Sequence, residues 1–259
     1  MQNVEINNRD IKFSVVIAAY NADSTIAESI ESCLQQTYRP YEIIVVDDAS
    51  NDSTAEIVQA YGEQVRYVQM VANNGPSVAR NKGMDIATGD YIAFLDHDDT
   101  WHRDKLAVMH SILSAQPQID FIYHTYTLQD INTIKLPDGG TVYRLPFMKL
   151  LSRNVIPTPC VVMKRSIPLR FEPTMRYTED YDLWLRIGYK HKLHFISIPL
   201  TQLGRPILSK GGLSSNKWKM RRGEMRAYRR LVKLNPLFML LLPFLLFGSL
   251  LKHIGKLFG

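Results

Sequence analysis

The segment FLDHDDT, residues 94–100, places three carboxylates and one imidazole directly after an apolar run. Carboxylates this close together repel, and they raise each other's pKa unless a cation neutralises them. Mg²⁺ and Mn²⁺ are the natural cations, because hard ions take oxygen ligands and are often completed by substrate phosphates. Asp98 and Asp99 are therefore the candidate metal ligands. His97 would point to the opposite side of a continuing strand, which favours a packing role.

The ends of two other apolar runs carry polar residues that could face the same site. Tyr20 and Asn21 follow FSVVIAA, and Asp47 and Asp48 follow YEIIVV. In parallel α/β sheets, ligands bind outside the carboxyl ends of the strands. Acids that merely solvate the start of a loop would explain each strand end singly, but they explain three strand ends poorly. We therefore predict that three strands deliver polar groups to one crevice.

Apolar runs and helical periodicity alternate along the first half of the chain. Continuous apolar strands in this β-α-β order predict an α/β fold with a mostly parallel sheet covered by helices on both faces. The pattern weakens over residues 130–159, which we interpret as the variable, substrate-facing part. The predicted strands are residues 13–21, 41–50, 65–71, 90–99, 121–129 and 160–166, and the predicted helices include residues 53–62, 75–89, 101–117 and 178–190.

The helix predicted over residues 178–190 begins with a second acidic pair, Glu179 and Asp180. The dipole and the free N–H groups of a helix N-terminus favour acids in the first turn. Capping alone would therefore explain this pair if it were considered in isolation.

Charge is divided unevenly between the body of the chain and its C-terminus. Residues 217–259 contain ten Lys and Arg and one acid, a charge of +9, so the other 216 residues carry −3. The pI of 9.2 is thus no argument for nucleic acid, and neither an RNA-binding aromatic motif nor zinc-finger spacing occurs. Cys33 and Cys160 lack metal-type spacing and favour a reduced, cytosolic compartment. The N-terminus lacks the apolar core of a secretory signal, so we expect no export.

Four ordered segments resemble the motifs of family 2 of the inverting glycosyltransferases, which have the GT-A fold. They are VVIAAYN, LQQTYRPYEIIVVDDASNDST, NNGPSVARNKGMDIATGDYIAFLDHDD and TEDYDLWLR. One D-x-D motif is weak evidence, whereas four ordered motifs are strong evidence. The resemblance covers residues 13–215. It implies a GT-A domain over residues 1–215, with a nucleotide-binding half (1–129) and an acceptor-binding half (130–215).

The resemblance implies a UDP-sugar donor and a pocket for its base. Ala18 and Tyr20 would line this pocket, and Asp48 would accept the uracil N–H while Asp47 supports the loop. A carboxylate that accepts an imide N–H reads uracil, and a flat aromatic ring provides a stacking surface.

The resemblance also implies contacts to the rest of the donor. Asp96 would face the ribose, and Asp98 would bind the Mn²⁺ or Mg²⁺ that bridges the two phosphates, with Asp99 as the alternative ligand. Residues placed near the nucleotide or the substrate, without an individual contact, are Asn21, Arg80 and Glu179.

In this family an acceptor hydroxyl attacks the anomeric carbon from the face opposite the diphosphate, and an aspartate takes the proton. The resemblance assigns this base to Asp180. Like-charge repulsion from Glu179 and Asp182 would raise the pKa of Asp180 towards the range of a useful base.

One departure from the family pattern concerns the segment after this helix. Many relatives carry a histidine there that completes the metal site, whereas residues 204–217 contain none. Either Lys210 or Arg205 would meet the diphosphate as a cation, or the segment is a simple flexible lid.

The C-terminal segment joins a basic helical stretch to an apolar run. Residues 237–251 are apolar over 15 positions and contain Pro243, whereas a straight transmembrane helix needs about 20. We therefore expect residues 216–259 to form an interfacial or re-entrant membrane anchor that is attracted to anionic lipids. A core helix or an oligomer contact is the alternative.

Family 2 enzymes with such tails resemble those that build bacterial O-antigen or capsular repeat units on a lipid-diphosphate carrier. The resemblance thus implies sugar transfer to a lipid-linked saccharide at the cytoplasmic face of the plasma membrane.

Two other functions compete with this interpretation. The D-x-D-x-T pattern also resembles the nucleophile loop of haloacid-dehalogenase-like phosphatases, but that family places the loop on its first strand. That interpretation leaves the polar residues of the other segments unexplained, namely Tyr20, Asn21, Asp48 and Arg80. The other alternative is a non-catalytic, membrane-tethered protein that binds sugar nucleotides.

Overall fold

The computed structural model describes residues 10–137, 140–206 and 216–255, with side chains up to Ser249. In these residues one nine-stranded sheet is covered by helices on both faces. The strands are β1 (Phe13–Ala19), β2 (Glu42–Asp47), β3 (Arg66–Gln69), β4 (Tyr91–Asp96), β5 (Thr100–Trp101), β6 (Phe121–Thr127), β7 (Val142–Leu145), β8 (Val161–Lys164) and β9 (Leu193–Gln202). The helices are α1 (Ile26–Leu34), α2 (Thr54–Gln59), α3 (Pro76–Ile86), α4 (Lys105–Ala115), α5 (Phe147–Ser152), α6 (Glu179–Lys190), α7 (Lys217–Leu234) and α8 (Phe238–Gly255).

The first half of the sheet is parallel, in the order β3-β2-β1-β4. All seven residues of β1 are buried, because the strand has neighbours on both edges and helices on both faces. This burial explains why the sequence shows continuous apolar runs instead of alternation. From β1 the chain runs to β2 and β3 on one side, and it then crosses to β4 on the other side of β1. This change of direction opens a crevice at the carboxyl ends of these strands.

The second half of the sheet is mixed. β8 is antiparallel to β4 and β6, whereas β9 is parallel to β6 and antiparallel to β5 and β7. The predicted α/β fold is thus confirmed, but the parallel order ends at β4. The sequence pattern missed β9, because Ser197 and Pro199 interrupt its apolar run. The pairing of β9 with β6 is also irregular, with register shifts around Thr125.

Two apolar cores flank the sheet. One packs α1, α2 and α4 against it, and the other packs α3, α5, α6 and α7. In the second core, Trp184 of α6 lies edge-on to Phe121 and Phe171, with ring centroids 5.1 and 5.8 Å apart. Such aromatic pairs contribute about 0.5–1.5 kcal/mol beyond the buried area. This packing fixes α6, and with it the acidic pair at its start.

Helix α7 packs on α6 as part of the second core. Arg230 forms ion pairs with Asp182 (2.8 Å) and Glu172 (2.5 Å), and Arg226 donates to the carbonyl of Thr174 (2.9 Å). The first part of the C-terminal segment is therefore packed against the domain, and two of its cations are used within the chain. The buried residues of α7 are Gly223, Ala227, Tyr228 and Leu231.

Helix α8 packs on α5 and α7 and exposes an apolar face. Phe238 contacts the rings of Phe147 and Tyr189 at centroid distances of 5.9 and 5.5 Å. Within the described ranges, none of the helices has the length and hydropathy that a membrane crossing requires. Within residues 237–249, the most exposed apolar side chains are Leu237, Met239, Leu240, Phe244 and Phe247.

Candidate active site

The carboxyl ends of β1, β2 and β4 lie side by side. Ala18 pairs with Asp96 across β1 and β4, and Ala19 pairs with Asp47 across β1 and β2. The three strand ends that the sequence marked as polar therefore form one edge, as predicted.

Three non-glycine residues in the described part of the chain adopt a positive φ, which is uncommon for residues with a side chain. They are Asn21 (48°) after β1, Ala49 (61°) after β2 and Thr178 (55°) before α6. Backbone strain of this kind clusters at functional sites. The strained residues lie in the same segments that carry the candidate site residues.

Two side chains fix the loops after β1 and β2. The Oδ1 atom of Asn21 accepts the N–H of Asn51 (3.0 Å). Asp47 accepts the N–H of Ser50 (2.8 Å) and the hydroxyl of Tyr67 (2.6 Å). Asp47 thus supports its loop as predicted, and Asn21 joins the β1 loop to the β2 loop.

The predicted base-binding residues Tyr20 and Asp48 differ in exposure. Tyr20 is 42% exposed, so its ring is open to a ligand, whereas Asp48 is 3% exposed. The Asp48 carboxylate accepts the N–H groups of Asn74 (2.9 Å) and Gly75 (2.6 Å), and burial raises its pKa despite these donors. Because an ionised carboxylate has about four acceptor positions, Asp48 can fix the loop before α3 and still accept a ligand N–H.

Arg80 joins the end of β4 to the start of α6. Its buried guanidinium donates to Asp96 (2.6 Å) and to Glu179 (3.1 Å). Burial first, and then the neighbouring Asp180, raise the pKa of Glu179 to about 7, while Arg80 opposes the rise. Removing one partner of a buried ion pair leaves an uncompensated charge, so these groups hold one another in place.

The two candidate metal ligands have different surroundings. Asp98 is partly exposed, and its Oδ2 atom accepts two N–H groups of Arg205, one of them from Nε at 2.7 Å. Asp99 is buried and accepts the N–H of Gly204 (2.9 Å). Burial, followed by the charges of Asp96 and Asp98, raises the pKa of Asp99 to about 8. Asp98 therefore has the carboxylate that a cation from solvent can reach.

Gly204 permits this arrangement by its lack of a side chain. A Cβ atom at this position would lie 2.0 Å from the carbonyl oxygen of Asp98, far inside van der Waals contact. The close approach of the two backbones places Arg205 on Asp98. Lys210, the other cation predicted here, lies outside the described residues.

The residues at this edge suit a hard cation that brings its own further ligands. In the described ranges, no group of three or more His, Cys, Asp or Glu side chains is arranged to hold a metal. Mg²⁺ often binds through one or two carboxylates and substrate phosphates, and Asp98 already attracts the guanidinium of Arg205. His97 lies on another side, with Nδ1 3.2 Å from the hydroxyl of Thr25.

Asp180 lies in the first turn of α6 and is held by two donors. Its Oδ1 atom accepts the N–H of Tyr181 (2.7 Å), and its Oδ2 atom accepts the side-chain N–H of Asn154 (2.8 Å). Its pKa is raised, because burial and the charge of Asp96 outweigh these hydrogen bonds and Arg80. A raised pKa suits a general base. The Arg80 contacts to Asp96 and Glu179 bring the start of α6, which carries Asp180, next to the end of β4.

Asp182 has a different role from the predicted one. It is 1% exposed, and its charge is neutralised by Arg186 (2.7 Å) and Arg230 (2.8 Å). Among the largest influences on the pKa of Asp180, the like charge is that of Asp96. Asp182 anchors α6 to α7.

Sequence reasoning missed Asn154 and the close approach at Gly204. Asn154 lies between α5 and β8, inside the stretch without periodicity, and no motif marks it. Gly204 directly precedes Arg205, which was one of two candidate cations. The glycine next to this candidate cation was the one signal that could have indicated the close approach of Gly204 to Asp98.

The family model described as "Glycosyl transferase family 2" matches residues 14–167. The chain is 32% identical over 211 residues to the Escherichia coli UDP-Glc:alpha-D-GlcNAc-diphosphoundecaprenol beta-1,3-glucosyltransferase WfgD, which covers 81% of this chain and 82% of WfgD. It is 30% identical over 232 residues to the putative teichuronic acid biosynthesis glycosyltransferase TuaG of Bacillus subtilis (strain 168), which covers 86% and 89% of the two chains.

A solved structure shares the fold. The mannosyltransferase PcManGT from Pyrobaculum calidifontis, in complex with GDP-Man and Mn²⁺, aligns with 96% of this chain and 75% of its own, with a TM-score of 0.66 and 17% identity. The expected GT-A fold is thus confirmed. The range matched by the family model contains Tyr20, Asn21, Asp48 and Arg80, which the haloacid-dehalogenase-like interpretation leaves unexplained. The phosphatase alternative is therefore set aside. With a family match over more than half of its length and a 32% identical relative, the chain belongs to glycosyl transferase family 2 and is a glycosyltransferase.

Proposed function

We propose that this glycosyltransferase moves a sugar, with inversion, from a UDP-sugar to a hydroxyl of a saccharide on a lipid diphosphate. The product would serve a bacterial surface polysaccharide such as O-antigen or capsule. The name of WfgD states a UDP-Glc donor and a diphosphoundecaprenol-linked acceptor, and the name of TuaG states teichuronic acid biosynthesis. These relatives support the proposed classes of donor, acceptor and product.

The observation that carries the proposal is the ion-pair bridge between the end of β4 and the start of α6. Arg80 contacts Asp96 at the end of β4 and Glu179 at the start of α6. Asp180 follows Glu179 in the first turn of α6, and its carboxylate accepts from the side chain of Asn154. A diphosphate bound at the end of β4 would therefore place its sugar against α6.

The residues of the crevice divide the work of transfer. Tyr20 and Ala18 would line the base pocket, and Asp48 would accept the uracil N–H. Asp180 would take the proton of the acceptor hydroxyl as the hydroxyl oxygen bonds to the anomeric carbon and the diphosphate departs from the opposite face. Because an oxocarbenium-like transition state acidifies the attacking hydroxyl, a carboxylate with a raised pKa suffices as the base. The proposed supporting residues are Asn21, Arg80, Asp96 and Glu179.

Asp98 would be the main ligand of Mn²⁺ or Mg²⁺, with Asp99 as the alternative and the donor diphosphate completing the shell. A bound dication stabilises the negative charge that develops on the departing diphosphate. The Mn²⁺ in PcManGT supports a divalent metal in this fold.

Replacing the base tests the mechanism. Asp180→Asn preserves the shape of the side chain and cannot accept the proton. We expect transfer to fall by about 10²–10⁴-fold, which is typical for the loss of a general base, while UDP binding is retained. UDP release with and without acceptor measures transfer, and calorimetry measures UDP binding.

The matched control is Asp85→Asn, because Asp85 is an exposed acid on α3 that pairs with Arg170. Unchanged turnover in Asp180→Asn would show that another group is the base. A wild-type chain that binds UDP-sugars but transfers none would favour the non-catalytic alternative.

We further propose that residues 216–259 attach the enzyme to the cytoplasmic face of the plasma membrane through α8. The exposed residues Leu237, Leu240, Phe244 and Phe247 recur at the spacing of one helical face. Exposed cations of α7, such as Arg222 and Arg229, would favour anionic lipids. Cations already paired within the chain, Arg226 and Arg230, are not available for this role.

Flotation with phosphatidylglycerol vesicles tests the attachment. The triple variant Leu240→Ser, Phe244→Ser, Phe247→Ser should lose most binding, and UDP binding reports on its folding. Leu128→Ser, which changes an equally apolar side chain that is 53% exposed elsewhere, should float like the wild type. Full flotation of the triple variant would defeat the proposed attachment.

A further inference from the structure

We infer that helix α7 positions Asp180, so that the C-terminal segment supports the active site and is more than a tether. The inference rests on the proposed role of Asp180 as the base. Three contacts connect α7 to the segments that hold this carboxylate, and each involves a different residue of α7.

The closest contact is between Gly223 and the turn that begins α6. A Cβ atom on Gly223 would lie 2.1 Å from the hydroxyl oxygen of Thr178 and 2.4 Å from the carbonyl oxygen of Tyr177. Ordinary contacts of a Cβ atom begin at 3.4 Å, so an added methyl group must push this backbone by about 1 Å. Thr178 has a φ of 55° and stands two residues before Asp180. The turn therefore cannot move without moving the base.

A second contact joins α7 to both segments that touch the carboxylate. The single proton of the Tyr228 hydroxyl is shared between Glu224 of its own helix (2.9 Å) and the carbonyl oxygen of Leu151 (3.2 Å), and the hydroxyl lies 3.4 Å from that of Tyr181. Tyr181 donates its own N–H to Asp180. Leu151 stands three residues before Asn154, the other donor to Asp180. Tyr228 thus links the two backbone segments from which Asp180 is held.

The third contact neutralises a buried charge. Asp182, two residues after Asp180, is 1% exposed and accepts from Arg230 of α7 at 2.8 Å. Loss of α7 would leave this carboxylate with Arg186 alone. The three α7 residues therefore fix positions 177–178, 181 and 182 on both sides of the base.

These contacts predict a specific kinetic effect. None of these three contacts involves a residue of β1, β2 or β4, so a disturbance at α7 should change UDP binding much less than catalysis. Glu179, which the disturbance also shifts, reaches the donor side only through Arg80 and Asp96. A misplacement of about 1 Å at a catalytic group can cost about 10²-fold in rate. We therefore expect a change in kcat with an unchanged donor KM, whereas a general loss of structure would reduce all functions together.

Gly223→Ala tests the inference. It should lower kcat by about 30–100-fold, with the donor KM and the Kd for UDP within about twofold of wild type. Gly248→Ala is the matched control, because the same methyl group on α8 would meet no atom within 4 Å. Since alanine forms helices better than glycine, neither change weakens its own helix.

A second substitution shows whether the effect passes through Thr178. Thr178→Gly removes the nearest hydroxyl oxygen and accepts a positive φ without strain. In the Gly223→Ala background it should restore part of kcat. Hydrogen exchange of residues 179–183 gives a readout independent of transfer, and Gly223→Ala should accelerate it.

Unchanged kcat in Gly223→Ala would overturn the inference, as would an equal loss of kcat and of UDP binding in a variant that is fully folded. If Gly223→Ala does not fold, Tyr228→Phe removes only a hydroxyl and should lower kcat about fivefold at the same donor KM, since a hydrogen bond contributes about 1 kcal/mol. Unchanged kcat in Tyr228→Phe would then overturn the inference. If the wild type transfers no sugar, the proposed function fails, and the exchange rates still decide whether α7 holds the start of α6.

Discussion

The proposed donor side and the proposed acceptor side of the crevice are held by different kinds of contact. On the donor side, Asp47 and Asp48 follow a central parallel strand, and backbone N–H groups fix both carboxylates. On the acceptor side, Asp180 accepts from the side chain of Asn154, and the start of its helix is in contact with Gly223 and Arg230 of α7. The regular sheet dictates the first arrangement, whereas a few side chains from irregular segments determine the second.

This difference affects how each side responds to substitution. Strand ends of a regular sheet keep their geometry when surface residues change, so a nucleotide pocket persists. Loops and packed helices tolerate substitution and insertion, so the acceptor side can diverge while the scaffold remains. Arg80 connects the two sides, because it contacts Asp96 and Glu179 together.

The largest expected effect follows from breaking that connection. Arg80→Met leaves Asp96 and Glu179 without their buried cation, and breaking a buried pair in this way costs about 3–5 kcal/mol. The free energy of unfolding, measured by urea denaturation at pH 8, should fall by this amount. Lys82→Met, which removes an exposed cation from the same helix, should change it little. Wild-type stability in Arg80→Met would show that the two sides are independent.

The same deficit should depend on pH. Arg80 lowers the pKa of Glu179, so its removal raises the folded-state pKa above the wild-type value of about 7. A carboxyl with a raised folded-state pKa destabilises the fold only where it must ionise. Below a pH of about 7, Glu179 is protonated in both folded proteins, so the deficit that it contributes should be absent there and should grow as the pH rises above about 7. A deficit that is constant from pH 6 to pH 9 would contradict this assignment.

A smaller effect tests the support of the base on the acceptor side. Asn154→Ala removes a hydrogen bond that lowers the pKa of Asp180. The base acts when ionised, so the acid limb of kcat against pH should move to higher pH, and kcat at neutral pH should fall about tenfold. Gln129→Ala, an exposed amide elsewhere, is the control. An acid limb that stays in place would show that Asn154 does not act on Asp180.

The sequence predicted the donor side well because its signals are local. Each apolar run ends in polar residues, and the parallel order brings these ends together, as the pairing of Ala18 with Asp96 shows. The sequence therefore predicted that these strand ends share one edge, and the structure adds the register of the pairing. The individual contacts did not follow, since Asp48 binds the backbone of the loop before α3.

The acceptor side was beyond the sequence for a physical reason. Asn154 acts through a side-chain contact with a residue 26 positions away, and no periodicity records such a pair. In α7, the many Arg and Lys residues made the apolar face difficult to recognise from the sequence. Ala227, Tyr228 and Leu231 are the residues of this face that are buried in the structure. The i, i+4 spacing of Ala227 and Leu231 was the available signal for that face.

The smallest expected effect concerns Arg205, which either competes with a metal at Asp98 or contacts the diphosphate as the sequence predicted. A metal at Asp98 must displace the guanidinium of Arg205, whose side chain is 44% exposed. Exposed pairs of this kind contribute about 0.2–1 kcal/mol, so Arg205→Gln should bind Mn²⁺ at most about fivefold more tightly. Paramagnetic resonance of Mn²⁺, with and without UDP, measures this affinity, and Arg222→Gln controls for the lost charge. If Arg205 instead contacts the diphosphate, Arg205→Gln should weaken the binding of Mn²⁺ in the presence of UDP. The sign of the change in Mn²⁺ affinity therefore decides between competition with the metal and contact with the donor.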